Sequence, residues 1–167
     1  MLQHRAGRPH PGARLSLVAA LTGILVGAAA CQQAATQYDA AEDVRAFIVA
    51  AREGDRATFE RHLDRPAVRA QLLAAIREQA GPLGDALGEG LVDQLLSPDG
   101  LRLALEQSGS PARTPTAAEI ATQLRTIENG RVCLPRSQDG SCAVTFARNG
   151  EDWRLVAIDT SSLQVGG

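Results

Sequence analysis

Lysine is absent from this 167-residue chain, whose 17 basic side chains are all arginine. That bias travels with an alanine-rich composition and carries no functional weight. Histidine is scarce: only His62 lies beyond residue 30, so no second imidazole is at hand for a metal site. There is no glycine-rich phosphate loop, since Gly81, Gly84, Gly88 and Gly90 fall in an amphipathic helical region and not after a strand. No serine or cysteine sits at a recognisable nucleophile turn. The apolar run from Leu15 to Ala30 is short of the ~20 residues that span a bilayer, and it ends in weakly hydrophobic alanines. These gaps leave no catalytic motif, no cofactor site and no metal site.

What is present begins with an export pattern. Arg5, Arg8 and Arg14 form a basic head, the run to Ala30 a greasy middle, and small residues close it, which reads as a secretory signal over residues 1–30. No twin-arginine pair precedes the run, so the general secretion route is expected. Cys31 directly follows Ala28-Ala29-Ala30 and resembles a bacterial lipoprotein processing site, where the cysteine takes the lipid and becomes the mature N-terminus. The site departs from the usual pattern at Ala28, where leucine is common. Plain cleavage, giving a soluble periplasmic protein, and an uncleaved single-pass anchor are the alternatives. The expected layout is lipid attachment and a polar tether over 31–37, one domain over 38–160 and a tail over 161–167.

All 19 acidic residues lie beyond Ala30, against fourteen arginines, so the mature chain carries a net charge of −5. That sign repels phosphate backbones and excludes nucleic acid as a natural partner. The 137 residues after the cut suffice for one domain with a single core. If Cys31 is lipidated, Cys133 and Cys142 remain as an even pair in an oxidising compartment. A disulfide between them would stabilise the fold by about 2.7 kcal/mol through loop closure. Two unpaired small core residues are the other reading.

Along the chain, Asp39 with Glu42 three residues on reads as a capping box opening a first helix. Val44, Phe47, Ile48 and Ala51 make its apolar stripe, and Gly54 ends it. Asp55 caps a short helix that buries Phe59 and Leu63. Asp64-Arg65-Pro66 starts a third, with Val68, Leu72, Leu73 and Ile76 as its face. After Gly81-Pro82 a fourth helix presents Leu83, Leu87, Leu91 and Leu95, with Gly84 and Gly88 inviting close approach by another element. Ser97-Pro98 caps a fifth through Leu101, Ala104 and Leu105. A Ser-Gly-Pro-rich loop from Ser108 to Pro115 precedes a capping box, Thr116 with Glu119, that opens a short sixth helix.

The period then changes to two. Arg131–Leu134, Ser141–Ala147 and Trp153–Ile158 read as a three-stranded antiparallel meander, so the fold class is α+β, helices first and sheet last. The hairpin register is in conflict. Setting Cys133 opposite Cys142 places Arg131 beside Val144 and Phe146, whereas a one-residue slip places Val132 and Leu134 there and parts the cysteines. The cysteine pairing is the register expected here. The last strand is apolar on both faces, Trp153 and Leu155 on one and Val156 and Ile158 on the other.

Taken in order, Tyr38, Glu53-Gly54-Asp55, Asp64-Arg65-Pro66-Ala67-Val68-Arg69, the glycine-spaced Gly84–Leu95, Leu96-Ser97-Pro98-Asp99-Gly100-Leu101 and Trp153-Arg154-Leu155-Val156-Ala157-Ile158 resemble domain-of-unknown-function family 2939. The resemblance spans nearly all of the mature chain. It departs at Arg65, where the family usually has phenylalanine, and at Cys31, which replaces a longer greasy anchor. It implies a membrane-attached bacterial protein and says little about activity. The order of elements is also distantly similar to the nuclear-transport-factor-2-like fold, an analogy that does not fix function.

Asp55, Asp64 and Arg69 are the polar candidates for a cleft, although two caps and an Asp64–Arg69 ion pair would account for all three. His62 reads as a surface helix residue and Trp153 as core. The functional expectation is a non-catalytic binding or structural module of the envelope, held to the membrane by its lipid, with a peptide, lipid or envelope protein as partner. The alternative is a hydrolase-like enzyme using Asp55, Asp64 or His62.

Overall fold

The computed structural model describes residues 15–81, 83–107, 113–136 and 139–160, with side chains from Gln32 onward except at 80, 83–87, 104, 105 and 107. The chain divides into two compact units, Met1–Ala34 and Ala35–Gly167. In the first, the backbone is helical from Leu15. Residues 1–14 of the expected signal, and the side chain of Cys31, lie outside the described residues, as do the 108–112 part of the loop and the 161–167 tail. Among the described residues no helix is long and apolar enough to cross a membrane.

Helix α1 (Leu15–Glu53) overturns the expected helix start at Asp39, its backbone being helical through 32–37 as well. Between Gly27 and Gly54 the sequence holds neither glycine nor proline, and its Ala and Gln residues favour continuing the helix. With a helical turn upstream, the backbone N–H groups near Asp39 already have carbonyl partners, so its carboxylate is free for another task. Gly54 ends α1 with φ +75°, a conformation that costs a residue without Cβ little. The stripe Val44, Phe47 and Ala51 is buried as expected, and Ala40, Ala41 and Ala50 join it.

The next helices start where side-chain oxygens wait for free N–H groups. Asp55 accepts from Thr58 N at 3.1 Å to open α2 (Arg56–Arg61), and Asp64 accepts from Ala67 N at 3.2 Å to open α3 (Arg65–Ala80). Helix α4 (Leu83–Leu95) buries a different stripe from the one its leucines suggest. Val92 is fully buried, whereas Leu91 and Leu95 are 49% and 38% exposed. Gly88 is the reason: a Cβ there would stand 3.3 Å from Leu73 Cδ2, so α3 and α4 meet across the missing side chain. Leu83, Gly84 and Leu87 have no described side chains.

Ser97 accepts from Gly100 N at 3.0 Å at the start of α5 (Pro98–Gln107). A Cβ on Gly100 would lie 2.2 Å from the Gln94 carbonyl oxygen, so the α4–α5 corner requires glycine. The capping box at α6 (Ala117–Gln123) is present in both directions: Glu119 N donates to Thr116 Oγ1, and Thr116 N donates to Glu119.

The sheet has four antiparallel strands and not three, in the order β1 (Arg125–Thr126), β2 (Val132–Pro135), β3 (Cys142–Asn149) and β4 (Asp152–Ile158). The added strand is formed by a tight turn through Asn129 and Gly130, both at positive φ, 61° and 67°. An Asn-Gly pair is a strong hairpin signal that the sequence carries openly.

Two bulges resolve what alternation could not. Val132 faces Phe146 and Leu134 faces Val144, which sets four apolar residues on one face; the shift between Leu134 and Pro135 then brings Cys142 opposite Pro135. Cys133 and Cys142 are disulfide-bonded with Cα atoms 5.5 Å apart, so the slipped register and the disulfide coexist. The expected direct opposition of the cysteines is therefore replaced by a bulge, which inserts one residue on one strand. A second shift, between Thr145 and Phe146, pairs Phe146 with Leu155 and Val144 with Ile158. Leu155 and Ile158 thereby share a face that strict alternation would have split.

Phe47 lies at the centre of the core, stacked on Phe59 with ring centroids 4.8 Å apart and edge-on to Phe146 at 6.2 Å. Such aromatic pairs add roughly 0.5–1.5 kcal/mol beyond the area they bury.

Candidate functional site

The inner face of the sheet and the helices do not meet everywhere. Between them lies a cavity of about 270 Å³. Val44, Phe47 and Ile48 of α1 and Leu72 of α3 wall one side; Leu134, Val144, Phe146, Leu155 and Ile158 of the sheet wall another. The α4–α5 corner closes a third with Leu95, Leu96, Gly100 and Leu101. Every described lining residue is apolar. A concave recess walled by apolar side chains is the common form of a small-molecule site, and an occupant that takes its surface out of water gains about 25 cal/mol per Å².

Polar contacts outside the cavity hold its walls in place. Arg65 Nη2 donates to the Leu96 carbonyl at 2.8 Å, and Arg65 also pairs with Glu60. Glu60 holds the guanidinium pKa above its usual value. A cation at the C-terminal end of α4 also meets the negative end of the helix dipole. Arg65 thus fixes the corner that walls the cavity. Gln71 Oε1 accepts from Ile158 N at 3.1 Å, and Arg136 pairs with Asp159 at 2.8 Å, fastening the end of β4.

The residues singled out from the sequence lie elsewhere, and none lines the cavity. Asp55 and Asp64 are spent on their helix caps, and Thr58 lowers the Asp55 pKa by hydrogen bonding its carboxylate. Arg69 does not pair with Asp64 as expected. It reaches across to α4, 3.6 Å from Glu89 and 3.5 Å from Asp93, because its position points along the α3–α4 seam.

His62 is not a surface residue. It is only 4% exposed, and its Nδ1 lies 3.1 Å from the Trp153 carbonyl. A carbonyl only accepts, so Nδ1 carries the proton. The backbone around His62 runs beside β4, with Leu155 N donating to the His62 carbonyl and Asp64 N to the Leu155 carbonyl, both at 2.9 Å. That pairing, from residues 91 positions away, draws the imidazole inward.

One group of metal-type ligands converges among the described residues. Asp43, His62 and Asp152 each offer an atom, all within 4.8 Å of one another. Two of the three already serve the Trp153 backbone, since Asp43 Oδ2 accepts from Trp153 N at 2.7 Å and His62 donates to its carbonyl. Asp43 and His62 thereby clamp the start of β4. No single stretch of sequence announces the cavity, whose walls come from α1, α3, the α4–α5 corner and the sheet.

Comparison with family models, with curated proteins and with solved structures returned no match. The functional reading therefore rests on the residues and the geometry above.

Proposed function

We propose that this chain is a bacterial cell-envelope lipoprotein of domain-of-unknown-function family 2939, attached through Cys31, whose globular unit is a non-catalytic binding module. The observation that carries the binding role is the apolar cavity between sheet and helices. A native core is packed to the density of an organic crystal, and a gap of this size is rare unless something enters it. The basic head, greasy run and cysteine of the N-terminus support the envelope location. The hydrolase alternative draws no support from the placement of Asp55 and Asp64, whose carboxylates are committed to caps.

Two measurements test the reading. Fractionation of cells expressing Cys31→Ser should move the protein from the membrane to the soluble pool; unchanged retention rejects the lipid anchor. The apolar fluorophore 1-aminoanthracene should bind the purified globular unit with one-to-one stoichiometry. Val144→Phe, which grows a ring into the cavity, should abolish that signal while the fold persists by circular dichroism. An absent signal from the unaltered protein rejects the binding role.

A further inference from the structure

We infer that the cavity takes the hydrocarbon tail of a single-chain amphiphile, about eleven carbons deep, whose head group stays in water and is not anionic. The inference rests on the cavity being a binding site and adds the class of its ligand.

Volume sets the depth. A cavity of about 150 Å³ lined by Leu, Ile and Phe stays dry and holds six-carbon benzene, so 270 Å³ scales to about eleven carbons. The volume admits one chain; a diacyl lipid would leave its second chain in water. Lining chemistry sets the kind of atom: with no polar side chain among the described lining residues, an oxygen or nitrogen placed inside would lose its hydrogen bonds to water without replacement.

The mouth sets the shape. Leu95 belongs both to the wall and to the surface, at 38% exposed, and Leu91 lies one turn away on α4, also exposed. The apolar path therefore runs out of the cavity along the helix. A chain can follow that path, whereas a compact ring of the same volume would leave it bare.

Charge selects the head group. Among the described side chains around the mouth helices, Glu89 and Asp93 share Arg69, Asp99 and Glu106 share Arg102, and Arg65 beside Leu96 is matched by Glu60, so carboxylates outnumber guanidiniums. The excess of negative charge disfavours a carboxylate or sulfate at the mouth and accepts a zwitterionic or uncharged head.

The test uses displacement of 1-aminoanthracene from the purified globular unit by alkylphosphocholines of six to sixteen carbons, each below its micelle-forming concentration. Affinity should rise about fourfold per methylene, as expected for each CH2 leaving water, and level off near eleven or twelve carbons. Dodecylphosphocholine and dodecyl maltoside should bind several-fold more tightly than dodecyl sulfate and dodecanoate at low salt, with the gap narrowing at 0.5 M NaCl as screening sets in, roughly a 3–10 Å Debye length. Leu91→Glu, at an exposed position on the apolar path and off the cavity wall, should weaken chain binding at least tenfold while 1-aminoanthracene still binds.

Fluorophore binding without displacement by any chain overturns the inference and spares the binding role, whereas no fluorophore binding removes both. Tighter displacement by adamantane than by dodecylphosphocholine overturns the linear shape. Tighter binding of the sulfate overturns the head-group assignment. Displacement seen only after residues 161–167 are deleted makes the chain's own tail the occupant and overturns the proposal.

Discussion

The Trp153 indole N–H donates to Asp39 Oδ2 at 2.8 Å, joining α1 to β4 across 114 residues of sequence. One turn further along α1, Asp43 accepts from the Trp153 backbone, and Arg148 pairs with Asp39 while its guanidinium lies 5.5 Å from the indole centroid. The indole hydrogen bond is the main reason the Asp39 pKa falls below its ordinary value, with Arg148 adding to it. Asp39→Ala should leave a buried indole donor without its partner, at a cost of about 1–3 kcal/mol. Trp153 is the sole tryptophan, so thermal melts followed by its fluorescence read this site directly. A melting temperature equal to that of the unaltered protein would show that the contact contributes nothing.

Two glycines of α4 should respond oppositely. Gly90 has open space where a Cβ would go, and Gly90→Ala should stabilise by up to about 1 kcal/mol through helix propensity alone. Gly88→Val should destabilise by roughly 1–3 kcal/mol, because its branches would enter the space held by Leu73 and Ile76. Urea unfolding of both variants checks the pair, and equal shifts would contradict the close approach of α3 and α4.

Acid should weaken the α6 cap. Glu119 is held down to about 2, chiefly by the Arg113 guanidinium that bonds it and next by the Thr116 N–H and hydroxyl. In the unfolded chain the same carboxyl titrates near 4.5. A depressed folded-state value gives stability that is complete above pH 4.5 and drains away as pH falls towards 2. Melting temperature against pH should therefore fall across that window in the unaltered protein and less steeply in Glu119→Gln. Parallel curves would count against the cap.

The disulfide gives a further prediction. Unreduced intact mass should show Cys133 and Cys142 two hydrogens lighter than the dithiol, and Cys142→Ser should lose about 2.7 kcal/mol of stability on the loop-closure model. A variant as stable as the parent would leave the bridge without a stabilising role.

Much of the helical half could be read in advance, because caps are local. Asp55, Asp64, Ser97 and Thr116 each bond an N–H three residues on, and that information lies within one turn of sequence. The buried face of α4 was not legible: a pattern of leucines hides the fact that Gly88 marks the contact, since a missing side chain adds nothing to a hydrophobic stripe. His62 escaped for another reason, as its partner is a strand carbonyl from the far end of the chain. The sheet registers depended on bulges, which shift the two-residue period without leaving a mark on composition. The cavity is a property of how three layers fail to touch, and no single stretch of sequence encodes it.

The outer edge of β4 is already occupied by the backbone of His62 to Asp64, and the opposite margin of the sheet is the two-residue β1. Neither border offers a long row of vacant amides to a neighbouring molecule, so growth into fibrils by strand addition is blocked at both ends. Copies brought close together would therefore find no strand border on which to join edge to edge.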